Sequence, residues 1–242
     1  MNTRYLHWAG PVVLVLAAAC SEQADESARA LPGDGASRVA ERAASAERLT
    51  PTIPADAPTV TVLGDSIAAG LHLAADDAFP AALQRLLAVQ GRPFRLVNAG
   101  VSGDTSAGGL RRLEWVLRSK PDVLIVELGA NDGLRGSPLE ELEKNLREIV
   151  RGGRASGARV VLVGMQMPPN LGPAYSLGFE ELYGRVASEE GALFVPNFLR
   201  GVGGVANRNL EDGLHPTVEG HELLAANLAP TLSAVLDELG RE

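Results

Sequence analysis

The residues best suited to chemistry lie at two distant points of the chain. Asp212-Gly213-Leu214-His215-Pro216 sets an acid and an imidazole three residues apart. Gly213 permits a tight turn, through which the carboxylate accepts the Nδ1 proton and leaves Nε2 to take a proton from a serine. The plainer reading is a surface histidine beside an unrelated acid. Gly64-Asp65-Ser66 supplies a serine directly after a short apolar run. A serine just past a buried strand points its hydroxyl out of the sheet top, and glycine lets the backbone turn sharply there. An ordinary Asp-Ser turn or helix cap uses the same residues. The pattern is not the Gly-x-Ser-x-Gly elbow, because Ala68 occupies the last position.

Two further segments could help a reacting carbonyl. Asn98-Ala99-Gly100-Val101-Ser102-Gly103-Asp104-Thr105 is a glycine loop before a helical pattern. Its free backbone N–H groups could hold a phosphate or an oxyanion, or Asp104 or Thr105 could simply cap the helix. Gly129-Ala130-Asn131-Asp132-Gly133 is strong turn chemistry, and it also offers the Asn131 amide as a donor. The segment alone leaves both readings open. Beyond residue 19 histidines occur only at 72, 215 and 221, and Cys20 is the one cysteine, so a metal site of the usual kind is not expected.

These residues need a scaffold that brings them to one edge. Short apolar runs, rich in β-branched residues, occur at Val60 to Leu63, Phe94 to Val97, Val123 to Leu128, Val160 to Val163 and Ala192 to Val195. Such runs suit strands buried on both faces. Helical patterns at Ala78 to Val89, Ser106 to Arg118, Leu139 to Ala155, Phe179 to Glu189 and Val218 to Leu239 alternate with them. The alternation predicts α/β architecture: a three-layer αβα sandwich around a five-stranded parallel, flavodoxin-like sheet over residues 59–242. Ligands of such sheets sit at the carboxyl ends of the strands, where all four segments fall.

Taken together, Gly64-Asp65-Ser66, Gly103, Asn131 and His215 resemble, in order, the four blocks of the SGNH (GDSL-type) hydrolases. Val101 to Ser106 and Glu127 to Gly136 are similar to the bacterial thioesterase I, arylesterase and lysophospholipase group. The resemblance covers residues 59–242. It implies an SGNH hydrolase fold, a serine esterase acting on carboxylic esters or thioesters, and no cofactor. It also implies a Ser66, Asp212, His215 triad and an oxyanion hole from the N–H groups of Ser66 and Gly103 with the Asn131 amide. Asp65 is then expected to shape the turn and Asp132 to fix the one that holds Asn131. The loop Gln166 to Gly178 follows the fourth strand, and Met165, Met167, Pro168, Leu171 and Tyr175 at or beside it are the expected acyl-binding residues; local packing of a proline-rich loop is the alternative. Two other functions fit parts of the chain: a carbohydrate O-acetyl esterase, disfavoured by scarce aromatics, and a catalytically silent lipid-binding lipoprotein, disfavoured by the intact set of Ser66, Asp212, His215 and Asn131.

Composition narrows the partners and the compartment. The 242 residues carry a formal net charge of −8, which disfavours nucleic acid, whose phosphates demand a basic surface; the partner that the resemblance implies is a small-molecule ester or thioester substrate, acyl lipids included. Arg4 and the apolar run Pro11 to Ala19 read as a secretion signal too short to span a bilayer. Leu16-Ala17-Ala18-Ala19-Cys20-Ser21 resembles the bacterial lipoprotein signal, with Cys20 the acylated new N-terminus; simple secretion with cleavage near Ala19 is the alternative. Residues 21–58 contain no aromatic and close on Pro51, Pro54 and Pro58, the composition of a flexible linker. The expectation is a periplasmic, lipid-anchored protein of a bacterial cell envelope, touching a membrane through its anchor.

Overall fold

The aliphatic runs become the strands of one parallel sheet. In the computed structural model, which describes residues 52–167 and 169–240, these are β1 (Thr59–Gly64), β2 (Arg95–Gly100), β3 (Val123–Glu127), β4 (Arg159–Val163) and β5 (Leu193–Val195). They lie in the order β2-β1-β3-β4-β5, every neighbouring pair parallel. The interior strands β1 and β3 are buried at every position, as expected where helices cover both faces of a sheet, with Thr59, Thr61 and Glu127 the polar exceptions to their aliphatic composition.

The helices are α1 (Ser66–Ala69), α2 (Phe79–Val89), α3 (Ser106–Leu117), α4 (Ala130–Leu134), α5 (Leu139–Ala155), α6 (Pro173–Glu190) and α7 (Val218–Leu239). α2 packs with α7, while α3, α5 and α6 pack in succession. Together with the sheet they form the three-layer αβα sandwich. Its core is aliphatic, with Phe79, Phe94, Phe179, Phe198 and Tyr183 as the large buried rings.

The structure extends two elements beyond the sequence pattern. β2 continues past Val97 to Gly100, because Asn98, Ala99 and Gly100 pair with Val62, Leu63 and Gly64 of β1. On this edge strand only Ala99 is buried, so hydrophobicity carries no mark of the extension. α6 begins at Pro173, six residues before the expected start at Phe179. Proline suits the first helical position, where the missing N–H costs nothing, so the segment expected to be loop is partly helix.

The chain visits β2 on one side of β1 and then crosses to β3 on the other. That reversal opens a crevice at the carboxyl ends of β1 and β3. Among the described residues no helix is long and apolar enough to cross a membrane. Cys20, the signal at 1–20 and residues 21–51 of the 21–58 linker lie outside the described residues. At the linker's described end Ala57 is buried, and the Pro58 carbonyl accepts the Arg95 N–H at 2.8 Å.

Candidate active site

Ser66 begins α1 immediately beyond β1. Asp65 caps that helix, its Oδ1 accepting the Ile67 N–H at 3.0 Å. This is the turn-shaping contact expected of Asp65. Gly64 serves a purpose different from the one the sequence suggested. It is absent from the positive-φ glycines, so it does not make a sharp left-handed turn. A Cβ there would lie 2.5 Å from both the Ala68 Cβ and the Glu127 Oε2. Close packing beneath the serine, not conformational freedom, demands glycine at this position.

The histidine arrives on the loop before α7. Gly213 adopts φ +69°, which suits glycine, and the chain folds back so that Leu210 N–H donates to the His215 carbonyl at 2.7 Å. Asp212 Oδ1 accepts the backbone N–H groups of Leu214 and His215, both at 2.9 Å. Its Oδ2 lies 2.6 Å from His215 Nδ1, and His215 Nε2 lies 2.9 Å from Ser66 Oγ. The His215 backbone N–H, followed by its ring and the Leu214 N–H, holds the Asp212 carboxyl well below the usual carboxylate range. A carboxylate, an imidazole and a hydroxyl in this line can move a proton off the serine. Asn209 braces the loop: its buried Nδ2 donates to the carbonyls of Val202 at 2.6 Å and Val205 at 2.9 Å. His72, at φ +70°, packs its ring edge-on to His215, 5.9 Å between centroids.

Asn131 sits in α4, a single helical turn where a simple turn was the alternative. Its Nδ2 donates to the Asp104 carbonyl at 2.9 Å and to Asp65 Oδ2 at 3.2 Å. The next residue, Asp132, accepts the Ser106 N–H at 2.8 Å and its hydroxyl at 2.7 Å, which clasps α4 to the start of α3. Gly103 has φ +81° and open space around its α-carbon. Neither its N–H nor that of Ser66 is spent on an acceptor among the described residues. Arg112, which the sequence gave no reason to select, clamps this edge. It pairs with Asp104 at 2.6 Å and donates to the carbonyls of Ala99 at 2.6 Å and Gly64 at 2.8 Å.

Ser66, Asn131 and His215 open into a cleft of about 780 Å³, whose apolar wall includes Ile67, Leu134, Met167, Leu199, Val202 and Leu214. The expected acyl-binding loop contributes little of it. Of its four described residues, Met165, Met167, Leu171 and Tyr175, only Met167 lines the cleft. Met165 is buried in the core, because it continues the inward-facing pattern just past β4. Leu171 is exposed on a 3-10 turn away from the cleft. Tyr175 lies in the first turn of α6, its hydroxyl bound to the Ser137 carbonyl at 2.8 Å and its ring stacked on Phe179. Pro168 lies outside the described residues. The missing wall comes from the loops 199–204 and 213–216. The one sequence signal for the first was Gly201-Val202-Gly203-Gly204, beginning six residues past the end of the last strand, a glycine cluster in which Gly201 and Gly204 take positive φ. Among the described residues no group of three or more His, Cys, Asp or Glu side chains is placed to hold a metal ion.

The chain is similar to known proteins over this whole region. Residues 62–223 match the model of the GDSL-like lipase/acylhydrolase family. It is 47% identical over 186 residues to esterase TesA of Pseudomonas aeruginosa, covering 76% of this chain and 92% of that one. It is 37% identical to an arylesterase of Vibrio mimicus, over 71% of this chain and 86% of that one. It is 34% identical to thioesterase 1/protease 1/lysophospholipase L1 of Escherichia coli, over 76% of this chain and 87% of that one. The crystal structure of TesA superposes with a TM-score of 0.71 at 47% identity, over 73% of this chain and 99% of that one. A psychrotrophic Pseudoalteromonas esterase, EstA, solved in a form inhibited by monoethylphosphonate, superposes at 0.70 with 31% identity, over 74% of this chain and 99% of that one.

Proposed function

The chain belongs to the GDSL-like lipase/acylhydrolase family and is an ester-bond hydrolase, and from that premise we propose that it cleaves acyl esters and thioesters through a covalent acyl-enzyme on Ser66. The observation that carries this reading is the hydrogen-bonded line from Asp212 through His215 to Ser66, which ends in the cleft. His215 Nε2 takes the Ser66 proton as Oγ attacks the acyl carbonyl carbon. The carbonyl π pair moves onto oxygen, where the N–H groups of Ser66 and Gly103 receive it, joined by the Asn131 amide once that gives up one of its two present acceptors, the Asp104 carbonyl or Asp65 Oδ2. Collapse expels the alcohol or thiol, which takes the proton from His215. Water then attacks the acyl-enzyme, giving up its proton to His215, and Ser66 leaves with that proton. Asp212 holds the tautomer in which Nε2 is free and stabilises the imidazolium.

The cleft supports acyl chains as the substrate class. Each methylene buried against its apolar wall contributes up to about 0.8 kcal/mol, so efficiency should climb with chain length until the groove is full. The leader sequence supports a lipid-anchored periplasmic protein with Cys20 as the acylated residue. The test pairs a fluorophosphonate probe with a panel of p-nitrophenyl esters and acyl thioesters. Native protein should be labelled and should prefer medium over acetyl chains; Ser66→Ala should lose both labelling and turnover while keeping its fold. Normal labelling of that variant refutes the nucleophile. Activity confined to acetyl groups would instead favour a carbohydrate esterase.

A further inference from the structure

Beneath the Ser66 turn lies a carboxyl group that the chemistry above does not use. Glu127 ends β3 directly opposite Gly64 in the β1–β3 register and is completely buried. Its Oε2 accepts the N–H groups of Asp65 at 3.1 Å and Ala68 at 3.3 Å, so it grips the backbone on both sides of Ser66. Its Oε1, equally buried, has no hydrogen-bond partner among the described residues. The bare α-carbon of Gly64 is what makes room for this carboxyl.

The groups around Glu127 decide its charge. Asp65, also completely buried, faces it from the turn after β1. Tyr183 approaches from α6, with its hydroxyl committed to the Leu128 carbonyl at 3.0 Å. Arg112 comes from α3 as far as the Gly64 carbonyl, but its charge is already met by Asp104. Two adjacent buried carboxyls do not both ionise, because each charge lacks water and repels the other. Each oxygen of Asp65 has a donor, Ile67 N–H on one and the Asn131 amide on the other, and the Asp65 carboxylate is favoured by His215 nearby. Glu127 leaves one oxygen with no donor, and a buried neutral oxygen without a partner costs far less than a buried charge. Burial is the main cause that pushes Asp65 up to about 6 and Glu127 well above the ordinary glutamate range, with Asp65 the next cause for Glu127.

We propose that Glu127 is a positioning residue, a neutral carboxylic acid that fixes the Ser66 turn through two backbone N–H groups and leaves the pair's single negative charge on Asp65, where it holds the Asn131 amide. This rests on Ser66 and Asn131 having the roles given above. A glutamate kept protonated by the fold retains a proton that the unfolded chain releases near the ordinary value of 4.5. Native stability therefore falls as pH rises above that value, until the folded group itself ionises. Glutamine has the same shape and keeps both N–H contacts, and it does not titrate.

The experiment measures the thermal unfolding midpoint and kcat of the full-length native protein and Glu127→Gln from about pH 5 to pH 8, the window in which a retained proton weighs progressively more. The variant's midpoint should rise relative to native as pH increases, while kcat stays within about threefold, less than loss of one oriented donor would cost. A gap in midpoint that does not widen with pH overturns the proposal, as does a kcat loss of a hundredfold in folded variant. Should Glu127→Gln fail to fold, carbon-13 NMR of glutamate carboxyls in native protein decides. One carboxyl still at its protonated position at neutral pH sustains the proposal, and none overturns it. A wrong nucleophile would appear separately, as continued probe labelling of Ser66→Ala with the unfolding data untouched.

Discussion

Replacing Asp212 by asparagine tests the line of proton transfer at its least protected member. The side chain keeps its shape but must turn either its oxygen or its NH₂ toward His215. The upright orientation retains the two backbone N–H bonds from Leu214 and His215 and points NH₂ at Nδ1. That forces the proton onto Nε2, where it blocks the imidazole from accepting the Ser66 proton. The flipped orientation restores the working tautomer but sets NH₂ against both backbone donors. Losing two such bonds at a solvent-accessible loop costs about 2 kcal/mol at a net worth of about 1 kcal/mol each. That leaves about one molecule in thirty with the working tautomer, since about 1.4 kcal/mol is a factor of ten. The flipped minority also lacks a charged partner for the imidazolium, and a charge-assisted hydrogen bond exceeds a neutral one by about 1–2 kcal/mol.

The two contributions come to about 3–4 kcal/mol, or a loss in kcat of about 10²–10³. A buried triad aspartate elsewhere costs about 10⁴ when converted to asparagine. Asp212 should cost less because 37% of its side chain remains accessible to water. The assay is steady-state hydrolysis of a p-nitrophenyl ester beside the rate of fluorophosphonate labelling, which requires Ser66 activation but no leaving-group protonation. Both should fall together while the unfolding midpoint barely moves. A loss below tenfold in both rates would falsify the assignment of Asp212 as the group that orients His215.

Three other outcomes follow from other parts of the molecule. Asn131→Ala removes a donor at the carboxyl end of β3, and kcat should fall by about 10²–10³ with much smaller change in KM; near-normal turnover in steady-state kinetics would return Asn131 to holding Asp65 and Asp104. Glu143 on α5 is held down to about 2, mainly by the Arg185 hydrogen bond and also by Arg147, so its contribution is present above its ordinary value of 4.5 and is lost as pH falls toward 2. Glu143→Gln should therefore flatten the acid limb of the unfolding midpoint over that range, and unchanged slope in calorimetry would show that the α5–α6 ion pairs contribute nothing. Cys20→Ser should abolish lipid attachment and membrane partitioning; mass spectrometry finding an unmodified mature N-terminus beyond Cys20 in native protein would refute the anchor.

Legibility in the sequence followed how locally each feature is specified. The Asp212–His215 contact is made across three residues, and one glycine is enough to close it, so spacing alone carried the geometry. Val123 to Val126 is buried on both sides by helices, and an unbroken aliphatic run meets that without stranding a polar side chain. The serine and histidine lie 149 positions apart and meet at 2.9 Å. Nothing local encodes that meeting; it was available only because alternating strands and helices imply that strand ends share one edge. Where one face of an element is free, the pattern fades, as at the end of β2, where Asn98 and Gly100 extend a strand that hydrophobicity does not mark.

The cleft wall and Glu127 were hidden for different reasons. Leu199 and Val202 belong to an irregular loop with no period, so their side chains could face core, solvent or substrate with equal economy of sequence. What turns that loop toward Ser66 is Asn209, whose one amide satisfies the carbonyls of Val202 and Val205 at once, and an asparagine in a polar loop looks ordinary until its partners are known. Glu127 closes an apolar run as strand-end acids commonly do on the way to solvent. Its burial depends on Gly64, which the sequence invited one to read as a turn residue. The pairing of β1 with β3 sets the two side by side, and only then does the glycine before the serine become intelligible as space for a carboxyl that grips the turn from below.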